Sequence, residues 1–164
     1  MHHEPSSDEW RSWLRRCGPR FHLYARQQTR TESDAEDILQ EALVESWKRE
    51  GAVPPDARVF ATIRRRAIDL ARSNDRRGER ELVAGRPDTE WFAPDMEERE
   101  TQRLLEDAVK SLQPAYREVV TLKVWGGLTF QEIADVTGVP LNTAASRYRY
   151  AIENLRGNLK GVIL

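Results

Sequence analysis

The sequence predicts an all-α protein made of two small helical domains joined by an acidic linker, the second domain carrying a helix-turn-helix. Three observations predict it. No stretch of any length alternates apolar and polar residues as a half-buried strand would; apolar residues recur at steps of three and four in several separate segments; and the residues between those segments are helix stops, namely Gly51, the Pro54-Pro55 pair, Gly126-Gly127 and Gly138. A length of 164 residues suits one ordinary domain or two small ones.

The first domain is expected over residues 8–77. Trp10, Trp13 and Leu14, then Phe21, Leu23 and Tyr24, supply enough apolar surface for one or two opening helices. Asp34 is the expected cap of the next, in which Ile38, Leu39, Ala42, Leu43, Ser46 and Trp47 share a side; Asp34, Glu36 and Asp37 near its start also suit the helix dipole. After Gly51 and the two prolines, a third helix turns Phe60, Ile63, Ala67, Leu70 and Ala71 inward and leaves Arg65, Asp69, Arg72 and Arg76 as an outward stripe. Such a basic stripe can track phosphates, or it can be no more than a solvated face.

Residues 78–100 are expected to be the linker: Gly85–Glu100, GRPDTEWFAPDMEERE, has two prolines, high acidity and little periodicity. Trp91 and Phe92 within it are expected to dock on a folded domain, because an exposed aromatic pair is unfavourable in water.

The second domain is expected over 101–160. Leu104, Leu105, Ala108, Val109 and Leu112 mark one helix, and Pro114 occupies the first turn of another that carries Val119, Val120 and Val124. Then comes TFQEIADVTGVPLNTAASRYRYAIENL, Thr129 to Leu155. Thr129 and Glu132 form a capping box, Ile133, Ala134 and Val136 are the buried side, and Gly138 takes the positive φ of a helix end. Pro140 cannot continue that helix, and Asn142 or Thr143 can cap a new one with Ala144, Tyr148, Ala151, Ile152 and Leu155 inward. Its other face offers Asn142, Thr143, Ser146, Arg147, Arg149 and Tyr150 to a DNA major groove. Two capped helices with a tight turn are also ordinary helical packing, so the rest of the chain must decide.

Charge supports separate surfaces. The whole is balanced, 26 Lys plus Arg against 27 Asp plus Glu, which argues against indiscriminate coating of nucleic acid. Locally it is sorted: six acids against two bases over 34–50, seven arginines against two acids over 58–77, and eight acids against three arginines over 78–100. Signs that alternate in blocks suggest surfaces with different partners.

Enzymatic chemistry finds no support. His2, His3 and His22 have no metal-ligand spacing, and neither a glycine-rich phosphate loop nor a nucleophile beside a base is present, so no metal, cofactor or catalytic residue is expected. A lone Cys17 excludes an internal disulfide and suits a reducing compartment. No apolar run approaches the roughly 18 residues of a membrane span, and MHHEPSSDEW lacks the order of a signal peptide, so a cytoplasmic protein without membrane insertion is expected. A free-standing helix-turn-helix regulator would need a dimer seam to span two half-sites, and none is evident.

The order of parts, acidic helix, arginine helix, acidic linker, helix pair and helix-turn-helix, resembles the bacterial sigma factors of the extracytoplasmic-function type, in the sigma-seventy family. Three segments carry the resemblance: DAEDILQEALVESWKR at 34–49, FATIRRRAIDLAR at 60–72, and LQPAYREVVTLKVWGGLTFQEIADVTGVPLNTAASRYRYAIENLR at 112–156. The resemblance implies promoter-specific transcription initiation on core RNA polymerase. It implies that the first segment docks on the β′ clamp helices through Asp37, Gln40, Glu41 and Val44, with Trp47 in the core. It implies that the second melts and reads the −10 element, through Phe60, Arg64, Arg65, Arg72 and Arg76, the loop from Glu50 to Arg58 helping to form a pocket for a flipped base. The third would bind the −35 element through the six residues already named. The β flap of polymerase and an anti-sigma factor are further implied partners, and the acidic linker would pass near the polymerase active centre and RNA exit path.

The chain departs from the family pattern in two places. Its loop before the arginine helix, GAVPPDARVFATIRR, lacks a Gly-Asp-Ser-like segment and has Phe60 as its only aromatic residue. In the recognition helix, Ala145 stands where a basic residue is frequent, and Tyr150 where an arginine is.

Overall fold

In a computed structural model the chain divides into two compact units, Met1–Thr89 and Glu90–Leu164. The structure describes residues 7–76 and 99–160. The first unit holds α1 (Ser7–Gln28), α2 (Glu32–Glu50) and α3 (Asp56–Arg76); the second holds α4 (Arg99–Ser111), α5 (Pro114–Val120), α6 (Phe130–Thr137) and α7 (Leu141–Leu159). Among the described residues there is no strand, and no described helix is long and apolar enough to cross a membrane. Trp91, Phe92 and the acidic stretch up to residue 98 lie outside the described residues. Arg99 and Glu100, expected in the linker, open α4 instead.

The apolar residues before Asp34 form one helix of 22 residues that runs through Pro19. A proline removes an N–H and usually breaks a helix. Here Pro19 and Arg15, the residue whose carbonyl loses its donor, are both exposed, so water can take that bond. Trp13, Cys17, Phe21 and Tyr24 recur at steps of four, four and three and are buried against Ile38 and Ala42 of α2 and Val59, Phe60, Ile63 and Ala67 of α3. Phe60 is at the centre, edge-on to Phe21 at 4.8 Å and to Tyr24 at 5.4 Å. Each such aromatic pair contributes about 0.5–1.5 kcal/mol beyond the area it buries. Trp47 is half-buried and packs edge-on against Trp10 at 4.3 Å. Ala71, expected inward, is exposed, because the helix outruns the partner surface that its earlier turns bury.

The start of α2 corrects the expected cap. Thr31 has extended backbone, and its hydroxyl accepts from the Asp34 N–H at 3.1 Å, so the helix begins at Glu32 and Asp34 lies in its first turn. Gly51 closes α2 at φ 63°, its N–H donating to the Trp47 carbonyl at 2.9 Å. The first turn of α3 is pinned to α1: Arg20 donates to Asp56 and to the buried Cys17 Sγ, each at 2.9 Å.

In the second unit, Ala108, Val109, Leu112, Val120, Ala151 and Leu155 form the core, with Trp125 and Tyr148 packed on it. Pro114 is at the first position of α5. Arg117 then supplies what the end of α4 lacks, donating to the carbonyls of Lys110 at 2.8 Å and Leu112 at 3.0 Å. Beyond Val120 the helix widens into one π turn, Thr121–Trp125, closed by the Gly126 N–H on the Thr121 carbonyl at 2.9 Å. That turn leaves Val124 exposed, which corrects its expected place on the apolar side. Gly126 admits no side chain: a Cβ there would lie 2.5 Å from the Leu122 carbonyl oxygen.

Candidate nucleic-acid interface

The helix-turn-helix is built as its residues dictate. The Thr129 hydroxyl accepts from the Glu132 N–H at 3.1 Å and the Glu132 carboxylate accepts from the Thr129 N–H at 3.0 Å. Gly138, at φ 73°, ends α6 with its N–H on the Ala134 carbonyl at 2.9 Å. Pro140 then stands at the N-cap of α7 with extended backbone, so Asn142 and Thr143 are in the first turn and cap nothing. A proline can hold that place because its carbonyl already accepts from the Ala144 N–H at 3.1 Å, and no N–H of its own is needed.

Rotation by about 100° per residue divides the six predicted DNA contacts into two groups. Asn142, Ser146 and Arg149 lie opposite the buried seam of Ala144, Ala151 and Leu155. Thr143, Arg147 and Tyr150 lie on one flank; Thr143 and Arg147 are half-buried, and Tyr150 is 52% exposed. The Arg149 guanidinium is 5.9 Å from the Tyr150 ring centre, and the Tyr116 ring lies 6.5 Å from that of Tyr150. Glu153, one turn beyond Arg149 and exposed, shares the outward face. The sequence reading missed it, although its spacing of four from Arg149 and seven from Ser146 places it there.

In the first unit the predicted polymerase-facing residues Asp37, Gln40, Glu41 and Val44 are all exposed, at steps of three, one and three along one side of α2. Val44 is 52% exposed at the edge of a shallow depression that Gln40, Glu41, Lys48 and Arg66 also line. The predicted −10 set is not brought together as expected. Phe60 is fully buried and belongs to the core, so it is removed from that set. Arg64 is half-buried, and Arg65, Arg72 and Arg76 are exposed along α3.

Arg65 and Arg66 meet α2. The Glu45 carboxylate accepts from Arg65, from Arg66 at 2.8–2.9 Å and from Arg49 at 2.8 Å, while Glu41 accepts from Arg66 at 2.8 Å. Hydrogen bonding from Arg65, helped by Arg66, holds the Glu45 carboxyl below the ordinary carboxylate range against the opposing effect of burial. Arg66 was not singled out in the sequence. Its partners lie 21 and 25 residues away, a pairing that no local pattern encodes.

One group of potential metal ligands converges among the described residues. His22 of α1 approaches Glu32 and Glu36 of α2, with ligand atoms within 4.8 Å of one another and both carboxylates exposed. The sequence, in which these residues are 10 and 14 positions apart, gave no metal-ligand spacing.

Comparison with known proteins adds the following. The family model described as Sigma-70 region 2 matches residues 13–77, and that described as Sigma-70, region 4 matches residues 102–155. The chain is 32% identical over 133 residues to the ECF RNA polymerase sigma factor RpoE of Cereibacter sphaeroides, covering 77% of this chain and 73% of that protein. It is 31% identical over 147 residues to the ECF RNA polymerase sigma factor SigL of Mycobacterium tuberculosis, covering 84% and 81% respectively. The RNA polymerase sigma factor CarQ of Myxococcus xanthus is 28% identical over 155 residues, covering 92% and 89%. The fold is similar to that of the sigma factor RpoE of Bartonella quintana, solved with the anti-sigma factor NepR, at a TM-score of 0.69 and 19% identity over 94% of this chain and 99% of that one.

Proposed function

This chain belongs to the extracytoplasmic-function sigma factors of the sigma-70 family, and from that premise we propose how its two units divide promoter recognition. As a member it is a non-enzymatic initiation factor that binds core RNA polymerase and directs promoter-specific transcription. The observation that carries the reading is that the region 2 and region 4 matches fall, in that order, on two separately compact helical units.

In the first unit (residues 8–77 by sequence) Asp37, Gln40, Glu41 and Val44 dock on the clamp helices of the β′ subunit, their carboxylates meeting basic groups around an apolar contact at Val44. Arg64, Arg65, Arg72 and Arg76 hold the phosphates of the −10 strand, whose melted base costs a few kcal/mol to unstack. In the second unit (residues 101–160) Asn142, Ser146 and Arg149 face base edges of the −35 element, and Thr143, Arg147 and Tyr150 meet the backbone beside them. Residues 78–98 connect the two within the transcription complex, and the β flap receives the second unit. The chain works in the cytoplasm, where polymerase and promoter DNA are found. An anti-sigma factor, of the kind present in the Bartonella quintana complex, is the partner expected to hold the free chain.

Size-exclusion chromatography and gel shift with core polymerase test this. The chain co-elutes with core enzyme, and specific retardation of promoter DNA requires both. Specific retardation of duplex DNA by the chain alone would instead indicate a free-standing regulator.

A further inference from the structure

The carboxylate of Glu45 is the junction between two surfaces that the proposed function assigns to different partners. It belongs to α2, one residue after Val44 of the docking stripe, and its side chain is 23% exposed. Both oxygens are occupied by arginines: Oε1 accepts from Arg49 and Arg65, and Oε2 from Arg66. Glu41 of the docking stripe holds Arg66 from the other side. A guanidinium that points its N–H groups at a carboxylate has fewer to offer a phosphate, and both its charge and its direction are taken up.

We propose that Glu45 is a positioning residue that draws Arg65 and Arg66 back onto α2, keeping them off single-stranded nucleic acid in the free chain. This rests on the proposed function, because it presumes that α3 faces a melted strand. A basic partner surface laid on the α2 stripe competes for the same carboxylates, and docking then frees the arginines that the strand needs. The ion pairs suit such a role because they are only partly buried. Arg65 is 52% exposed, and ion pairs at such exposed sites are weak enough for a partner to exchange them.

The test is fluorescence anisotropy of the full chain with a random-sequence single-stranded oligonucleotide, over a series of salt concentrations. Glu45→Gln removes one negative charge and loosens three arginines, Arg65 and Arg66 of α3 and Arg49 of α2 itself; Glu41→Gln removes the same charge and loosens only Arg66. Glu36→Gln, on an exposed acid of the same helix with no arginine partner among the described residues, removes a negative charge from beside His22 and Glu32 and loosens no arginine. Glu45→Gln is expected to raise affinity about three- to tenfold at low salt over Glu36→Gln. It should also steepen the dependence of log K on log salt by about 1.4, since Arg65 and Arg66 would each neutralise a phosphate and each phosphate on a single strand adds about 0.7 to the slope. Glu41→Gln falls between them.

Equal affinities and slopes for Glu45→Gln and Glu36→Gln overturn the proposal, as does weaker binding by Glu45→Gln, which would make the carboxylate an aid to phosphate contact. Circular dichroism establishes that each variant is folded. Should Glu45→Gln lose its helicity, the surface variant Glu41→Gln decides in the same way against Glu36→Gln. Overturning this leaves the proposed function standing if the wild-type chain still forms holoenzyme and directs initiation; failure there would remove the function itself.

Discussion

The two helices assigned to DNA, α3 and α7, present their arginines in opposite ways. On α3, Arg65 and Arg66 are drawn into carboxylates of the neighbouring α2. On α7, among the described residues, neither Arg147 nor Arg149 forms an ion pair; Arg149 rests near the Tyr150 ring. On the proposed function the difference follows the substrates. A duplex groove exists before the protein arrives, so the helix that enters it can be open and preformed. A melted strand exists only after polymerase has docked, and a helix that waits for it gains specificity by holding Arg65 and Arg66 back until then.

The comparison is broken most severely by Phe60→Ala. With Phe60 as the centre of the first core, the substitution costs about 3–5 kcal/mol and unfolds the first unit at lower denaturant while the second keeps its own transition. An unchanged transition, with weaker −10 binding alone, would return Phe60 to the nucleic-acid face. Arg117→Ala is the corresponding break in the second unit. Removing a charged donor from the carbonyls ending α4 costs about 1.5–3 kcal/mol, measured by thermal unfolding, with the first unit unaffected.

Arg149→Ala sharpens the comparison without unfolding anything. It costs about 1–3 kcal/mol on the preferred −35 sequence and relaxes preference at one position, read by competition binding of the holoenzyme. A uniform loss on every sequence would identify a phosphate contact instead. The smallest effect is with pH. Because its arginines hold the Glu45 carboxyl below its usual 4.5, the charged form is favoured in the folded state; that stability is complete above pH 4.5 and is lost as pH falls through the lowered value. Acid unfolding of the first unit should therefore be less steep in Glu45→Gln, and that of the second unit unchanged.

What could be read in the sequence was local. Thr129 with Glu132 and then Gly138 gave both ends of α6, since a capping box and a left-handed glycine each need only neighbours a few residues away. Pro114 gave the start of α5 for the same reason. Where several residues could do one task, the reading chose wrongly: Thr31 and Asp34 can both cap, and the helix uses Thr31. Phe60 qualified both as an inward residue by periodicity and as a base-facing aromatic by resemblance, and three-dimensional packing against Phe21 and Tyr24 decided for the core. The π turn that exposes Val124 breaks the 3.6-residue period on which its inward placement depended. The Glu41 and Glu45 pairs with Arg66, and the closeness of His22 to Glu32 and Glu36, arise from helix packing and leave no trace in spacing.

The most direct measurement of the account is transcription in vitro by core polymerase plus this chain on a promoter library randomised upstream of a fixed reporter, with start sites and templates sequenced. Two separated blocks of preferred sequence should emerge, with Arg149→Ala erasing preference in the upstream block alone and Arg72→Ala with Arg76→Ala weakening opening at the downstream block alone. Absence of defined start sites, or loss of both blocks together on Arg149→Ala, would contradict a factor whose two units read separate parts of the promoter.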